Sequence, residues 1–241
     1  MQQKIALVTG GNRSIGFETA RQLAQQGVHV IIGARRRGQG VEAAMQLQLQ
    51  GLSVETVELD VSNRNTIIAA ADEIGRKHGR LDILVNNAGI VGDKPGTASQ
   101  QPVSDWRVVF DTNLFGVIET TQALLPLLRK SEAGRIVNVS SLLGSVAMHA
   151  QPGTLDAFKN LSAYNVSKSA LNAYTLHLAH ELAGTSIKVN AIHPGYVKSD
   201  MNKGGGDLDL ATGAKTSVDL ALIDSDGPNG SFSHLGETLP W

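Results

Sequence analysis

A tyrosine and a lysine lie four positions apart in the segment "LSAYNVSKSALNAY", residues 161–174. The apolar pattern predicts a helix, and this spacing places Tyr164 and Lys168 on one face of it. A phenol, with a reference pKa of about 10, suits acid-base chemistry near neutrality only beside a positive charge. At about 4 Å and an effective dielectric constant of about 20, an ammonium contributes roughly 4 kcal/mol and lowers the pKa by about 3. The pair therefore predicts a proton-transfer site, with a purely structural pair as the alternative.

A glycine-rich stretch, "VTGGNRSIGFETA" over residues 8–20, follows the first predicted strand and opens the first predicted helix. The backbone N–H groups and the dipole at a helix N-terminus attract a pyrophosphate. The stretch therefore predicts nucleotide binding, and the alternative is a tight loop without a ligand. The residues expected at the nucleotide are Gly10, Asn12, Arg13, Ser14, Ile15 and Gly16.

Positive charge follows the second predicted strand, which ends in "GARRR". Dinucleotide folds that use NAD usually carry an acid about 20 residues beyond the glycines, but no Asp or Glu occurs between Glu18 and Glu42. Cations at a helix start oppose its macrodipole, and a bound anion would remove that conflict. We therefore predict that Arg13 and Arg35 hold a 2′-phosphate and that the cofactor is NADP(H). Solvated surface arginines are the alternative.

Short apolar runs alternate with longer helical patterns along the chain. This alternation is typical of β-α-β units with right-handed crossovers, whose ligands gather at the carboxyl ends of the strands. We predict an α/β fold: one Rossmann domain over residues 1–241, with a doubly wound parallel sheet of about seven strands and helices on both faces. The predicted strands are 5–9, 28–32, 53–59, 81–85, 135–140, 187–192 and an edge strand at 231–236; the predicted helices end near 26, span 39–50, 64–78 and about 113–129, and begin near 162.

Two long segments, 142–163 and 198–217, interrupt the alternation. Long irregular segments in a compact domain are usually functional or mobile loops. We expect substrate loops at about 90–102, 142–163 and 196–217.

Composition excludes several classes of function. A net charge of −1 and an aromatic content of 4% offer neither a basic stripe nor a stacking platform for nucleic acid. The absence of cysteine excludes disulfides and thiolate-bound metals and fits a cytoplasmic protein. No run reaches about 18 apolar residues, so no membrane span is expected. His177 and His180 share a helix face without an apparent third ligand, so no metal is predicted.

Six motifs occur in order over most of the chain: "TGGNRSIG" (9–16), "NNAG" (86–89), "TNLFG" (112–116), "VNVSS" (137–141), "YNVSK" (164–168) and "HPGYVKS" (193–199). Together they resemble the short-chain dehydrogenase/reductase family. One departure is Ser14, which replaces the family's middle glycine. Serine disfavours the positive φ that glycine adopts, although its small size still permits a close approach of phosphate.

The resemblance implies four catalytic residues. Tyr164 would protonate the substrate oxygen, and Ser141, the second serine of its pair, would hydrogen-bond that oxygen. Lys168 would lower the tyrosine pKa and hold the nicotinamide ribose. Asn113 would retain a water in a proton relay behind the lysine.

The resemblance also implies further contacts with the cofactor. The adenine side would be lined from the "LDV" and "NNAG" segments, and the nicotinamide amide from "PGYVKS". The residues concerned are Asp60, Val61, Asn87, Ala88, Gly89, Pro194, Gly195, Val197 and Ser199, together with Tyr164 and Lys168.

The interval of 23 residues between Ser141 and Tyr164 is longer than is common in the family. An interval of this length resembles that of the carbonyl-reductase branch of the family. The resemblance implies NADPH-dependent reduction of small-molecule aldehydes or ketones, and it favours a monomer over a homo-oligomer. One alternative is a dedicated alcohol or hydroxysteroid dehydrogenase. The other is a non-catalytic NADP-binding regulator, which retention of all four catalytic positions disfavours.

Overall fold

One sheet runs through the computed structural model, which describes residues 3–155 and 158–241. Its strands are β1 (Ile5–Thr9), β2 (His29–Ala34), β3 (Val54–Glu58), β4 (Ile83–Asn86), β5 (Arg135–Val139), β6 (Lys188–Ile192), β7 (Phe232–His234) and β8 (Glu237–Thr238). The spatial order is β3-β2-β1-β4-β5-β6-β7-β8. All neighbours are parallel except β7 and β8. The predicted α/β class and doubly wound parallel sheet are confirmed.

The predicted number of about seven strands is low by one, because the chain turns back after β7 and adds β8 in the antiparallel direction. Leu235 and Gly236 form the turn in left-handed conformations, with φ of 46° and 87°. Two consecutive positive φ values match the twist of a tight hairpin. A strand of two residues is too short to show an alternating pattern, so the sequence does not reveal it.

Helices cover both faces of the sheet, as predicted. They are α1 (Ser14–Gln25), α2 (Arg37–Gln48), α3 (Arg64–His78), α4 (Val103–Phe110), α5 (Gly116–Leu128), α6 (Val146–His149), α7 (Ser162–Glu181) and α8 (Leu210–Leu222). A π-helical turn over Asp111–Phe115 joins α4 to α5. No helix in the described part of the chain is long and apolar enough to cross a bilayer.

Alternate residues of each central strand enter two separate cores. In β1, Ala6 and Val8 pack with the buried faces of α1, α2 and α8. Ile5 and Leu7 pack on the opposite side with α3, α5 and α7. Burial on both faces explains why the strands read as continuous apolar runs and not as alternating ones.

One predicted loop boundary is wrong. The segment expected to be irregular to residue 217 already contains α8 from Leu210, which begins where the side chain of Asp209 accepts a hydrogen bond from the Thr212 N–H at 2.7 Å. The helix lies in one of the two cores, where Ala214 and Ala221 are fully buried. The buried face of α8 consists mostly of small, weakly apolar residues, so the sequence shows no clear apolar repeat there. In the predicted loop 142–163, residues 156 and 157 lie outside the described residues.

Candidate active site

The carboxyl ends of β1 and β4 meet where the strand order reverses, and Thr9 joins them. Its hydroxyl accepts hydrogen bonds from the backbone N–H groups of Asn87 and Ala88, both at 3.0 Å. The Asn87 side chain donates in return to the carbonyl oxygen of Thr9 at 2.8 Å. Gly10 adopts a φ of 62°, and a Cβ there would lie 3.2 Å from Ala88 Cα. These contacts hold the glycine turn against the "NNAG" segment. Thr9 is a positioning residue that sequence reasoning missed.

The N-terminus of α1 is left open to an anion. Its N-cap, Arg13, makes no side-chain capping hydrogen bond, and its first turn carries no acid. Ser14 has a φ of 47°, so the serine does adopt the left-handed conformation of the glycine it replaces. The Asp200 carboxylate lies beside this end, 2.8 Å from Ser14 Oγ and 3.9 Å from Arg13 Nη1. Asp200 is 186 residues from Ser14 along the chain. Its carboxylate nevertheless lies at the start of α1, which indicates that this end of the helix attracts negative charge.

Arg35 follows β2 directly and is exposed. Its position borders the glycine turn, because the Gly11 N–H donates to the carbonyl oxygen of Gly33 in β2 at 3.2 Å. The next helix, α2, has no acid in its first turn and no side-chain cap at Arg36. Cations therefore flank the turn on the side where the predicted 2′-phosphate would lie.

Several of the remaining predicted cofactor residues follow the ends of β3 and β6. Asp60 follows β3, and its carboxylate accepts hydrogen bonds from the Ser62 N–H at 3.0 Å and the Ser62 hydroxyl at 2.7 Å. Val61 is buried beside it. After β6, Gly195 has a φ of 90° and Val197 is buried. The other members of the set are Asn12, Ile15, Gly16, Gly89, Pro194 and Ser199.

Helix α7 brings Tyr164 and Lys168 to the same edge of the sheet, and both side chains are buried. The Lys168 Nζ atom donates to the carbonyl oxygen of Val139, at the end of β5, at 2.7 Å and lies 5.7 Å from the Tyr164 ring centroid. The start of α7 is held by Gln101, whose side-chain oxygen accepts a hydrogen bond from the Ala163 N–H at 2.9 Å. Gln101 is a second positioning residue that the sequence pattern does not reveal.

The protonation of this pair differs from the sequence-based prediction. Burial raises the pKa of the Tyr164 hydroxyl, and its hydrogen bond with Ser141 offsets only part of that effect. Burial also lowers the pKa of Lys168 to about 8. The direction for this chain by itself is therefore opposite to the predicted lowering of the tyrosine pKa. Tyr164 and Lys168 both lie in a medium that disfavours charge, so burial is the largest influence on each pKa.

The two serines after β5 have different surroundings. Ser140 donates to Asn172 Oδ1 at 2.6 Å inside the protein. Ser141 faces Tyr164 and accepts a hydrogen bond from the Leu143 N–H at 3.2 Å. Only the second serine therefore lies next to the phenol.

Asn113 lies in the π-helical turn and is fully buried. Its Nδ2 atom donates to the carbonyl oxygen of Ile90 at 2.8 Å and to Ser167 Oγ at 3.0 Å, and its Oδ1 atom accepts from the Ile90 N–H at 2.9 Å. A Cβ at Gly89 would lie 3.3 Å from Asn113 Oδ1 and 3.5 Å from Lys168 Nζ. The asparagine therefore lies behind the lysine and is held in one orientation.

A histidine pair lies near the segment after β6. Burial, assisted by His234, lowers the pKa of His193 to about 4, and the two ring centroids are 5.0 Å apart. His193 is therefore neutral at physiological pH.

Comparison with known proteins agrees with this geometry. The model of the family described as short chain dehydrogenase matches residues 4–207. "Short-chain dehydrogenase/reductase 1" of Saponaria officinalis is 35% identical over 100% of this chain and 97% of its own length. Salutaridine reductase from Papaver somniferum has a solved structure with a TM-score of 0.84 and 31% identity, covering 95% of this chain and 99% of that one. NADPH-bound carbonyl reductase from chicken fatty liver has a TM-score of 0.86 and 26% identity, covering 100% of both chains.

The ordered motifs, the sheet with its crevice and the buried tyrosine and lysine all agree with these matches. The chain belongs to the short-chain dehydrogenase/reductase family and is an oxidoreductase.

Proposed function

We propose that this chain is an NADP(H)-dependent reductase of small-molecule ketones and aldehydes. The observation that carries the proposal is the group formed by Tyr164, Ser141 and Lys168 at the carboxyl edge of the sheet, the edge at which α1 also begins. A proton donor and a site for a phosphate anion would then lie along the same crevice.

The residues around the turn fit a pyridine dinucleotide. The uncapped end of α1 can receive a pyrophosphate, and Gly10 presents backbone without a side chain. Arg13 and Arg35 would hold a 2′-phosphate, which favours NADPH over NADH. Asp200 would give way to the phosphates, since its carboxylate competes for Ser14 and Arg13. When bound, NADPH supplies the hydride that attacks the carbonyl carbon.

The protein supplies the proton. Because burial raises its pKa, Tyr164 is protonated at neutral pH and can donate from Oη to the carbonyl oxygen as negative charge develops there. Ser141 Oγ would donate a hydrogen bond to the same oxygen. The Lys168 ammonium would stabilise the phenolate that remains, and Asn113 holds the turn behind it.

Relatives of this chain support a carbonyl substrate, since proteins called salutaridine reductase and NADPH-bound carbonyl reductase share its fold over at least 95% of the chain. Residues 90–102 and 142–163 would line the pocket, because Gly96 pairs with Leu161 beside the start of α7. A dedicated alcohol dehydrogenase would use the same residues in the opposite direction. A non-catalytic regulator would bind the cofactor without turnover.

The first experiment measures NADPH consumption over a panel of aldehydes and ketones. The wild type is expected to turn over, and Tyr164→Phe is expected to lose at least about 10²-fold in kcat because general acid catalysis contributes 10²–10⁴-fold. NADPH binding by fluorescence should persist. Tyr174→Phe, in the same helix, is the matched control and should remain active. Wild-type binding without turnover over the panel would support the regulator.

The second experiment tests the cofactor. Arg35→Asp is expected to weaken NADPH binding far more than NADH binding, because a carboxylate would face the 2′-phosphate. Arg107→Asp makes the same charge change on the exposed side of α4 and should leave the ratio unchanged. Equal losses for both cofactors in the Arg35 variant would refute the assignment.

A further inference from the structure

Two histidines and a glutamate converge at the amino edge of the sheet, opposite the catalytic crevice. His29 begins β2, Glu55 lies near the start of β3, and His78 ends α3. Glu55 Oε1 is 2.7 Å from His78 Nε2 and 3.8 Å from His29 Nε2. The ligand atoms of all three residues lie within 4.8 Å of one another. Their side chains are 17–27% exposed, so the cluster is largely covered but reachable.

The His29 ring is oriented toward the cluster with an unused nitrogen. Its Nδ1 atom lies 2.8 Å from Ser53 Oγ, while the buried Nε2 atom has no hydrogen-bond partner within the described residues. If the serine oxygen accepts the Nδ1 proton, the lone pair of Nε2 faces Glu55. Metal-binding histidines usually have such an outer hydrogen bond, which sets the tautomer and the ring orientation.

The charges suit a cation. The Glu55 carboxylate is in contact with His78 and Lys77 and so presents negative charge to the cluster. The Lys77 Nζ atom is 3.4 Å from Glu55 but 2.9 Å from Glu73. A metal ion could therefore replace Lys77 at Glu55 and leave the ammonium paired with Glu73.

We propose that His29, Glu55 and His78 form a binding site for Zn²⁺, with one position open to water. Zinc binds imidazole nitrogen and carboxylate oxygen at about 2.0–2.2 Å, which separates tetrahedral ligands by about 3.3 Å. The observed separations of 2.7 and 3.8 Å lie on either side of that value. The ion would take the place of the hydrogen bond between His78 Nε2 and Glu55 Oε1.

The site would connect three elements at a place remote from the chemistry. A bound ion would join the starts of β2 and β3 to the end of α3, and thereby stabilise the folded chain as any ligand of the native state does. The sequence does not reveal this site, because the three residues are 26 and 23 positions apart along the chain. Register and helix packing alone bring them together.

The test uses tag-free, full-length protein freed of metal with EDTA. Isothermal titration with Zn²⁺ is expected to give one ion per chain, and thermal unfolding is expected to shift upward with Zn²⁺ concentration. Cobalt(II) is expected to show the visible bands of a tetrahedral site. Ser53→Ala should weaken Zn²⁺ binding about 10-fold or more, as loss of an outer partner does, and Glu55→Gln and His78→Gln should weaken it further.

Two variants keep the result interpretable. Lys77→Met, on the exposed side of the cluster, should bind Zn²⁺ at least as tightly as the wild type because it removes a competitor for Glu55. The double variant His177→Ala/His180→Ala removes the other helical histidine pair and should bind Zn²⁺ normally. Wild-type affinity in Glu55→Gln and His78→Gln, loss of binding in Lys77→Met or in the double variant, or absence of one-to-one binding would each overturn the site.

Discussion

Replacement of Lys168 by methionine is expected to stabilise the protein while it abolishes turnover. Lys168 is 4% exposed, and within the described residues its ammonium has one hydrogen bond, to the carbonyl oxygen of Val139 at 2.7 Å. A charge in such surroundings is poorly compensated, because the protein offers less stabilisation than water does. Methionine fills a similar volume without charge.

The magnitude follows from the pKa of Lys168, which burial lowers from 10.5 to about 8. This difference corresponds to roughly 3 kcal/mol of unfavourable free energy when the amine is charged in both the folded and the unfolded chain. Loss of the hydrogen bond to Val139 costs about 1 kcal/mol. At pH 7 the variant should therefore gain about 2 kcal/mol in free energy of unfolding.

The gain should shrink as the pH rises. Below pH 8 the amine carries its proton in both states, so the whole penalty is present. Between about pH 8 and pH 10.5 the folded chain releases the proton while the unfolded chain keeps it, so the stability of the wild type rises. At pH 9 about 1 kcal/mol of the difference between wild type and variant should have disappeared.

Urea unfolding of the cofactor-free proteins at pH 7 and pH 9 measures both effects. Lys130→Met, at an exposed position, is the control and should change neither the stability at pH 7 nor its difference between the two pH values. A Lys168→Met variant that is less stable than the wild type at pH 7, or whose difference from the wild type does not change by pH 9, would refute the reasoning. NADPH turnover is measured on the same samples and should be lost.

Two further predictions concern His193 and Gly144. Burial lowers the pKa of His193 to about 4. On acidification the imidazole therefore takes up its proton in the unfolded chain at a higher pH than in the folded chain. At pH 5 this difference costs the wild type about 2 kcal/mol of stability relative to pH 8. His193→Gln should lose about that much less in urea unfolding between the two pH values, and an equal loss would contradict the assignment. A Cβ at Gly144 would lie 2.7 Å from the carbonyl carbon of Lys168, so Gly144→Ala should cost 1–3 kcal/mol and reduce kcat. Gly184→Ala is the control: its Cβ would have open space around it, so this variant should retain both stability and kcat. A Gly144→Ala variant that is as active and as stable as the wild type would contradict the prediction.

Local patterns were sufficient for most of the fold. The run at β1, the helix α3 over Arg64–His78 and the start of α7 at Ser162 lie where the sequence predicts them. Each has a long apolar repeat or a clear boundary, and burial on both sheet faces reinforces the signal. Helix α4 and strand β8 were missed because eight and two residues carry too little periodicity.

Part of the candidate active site could likewise be predicted from local sequence, and part could not. The four-residue spacing places Tyr164 and Lys168 on one face of α7, since helical geometry is local. The effect of burial on the pKa of Tyr164 could not be predicted, because a pKa depends on how completely surrounding elements exclude water, which no spacing reports.

By itself, the sequence determined the parallel α/β sheet, the glycine turn before α1 and the tyrosine–lysine pair, because each depends on residues close together in the chain. Only the tertiary structure decided that Asp200 reaches Ser14, that Gln101 holds the start of α7, and that His29, Glu55 and His78 converge. Those contacts depend on strand register and helix packing, which sum many weak interactions over the whole chain.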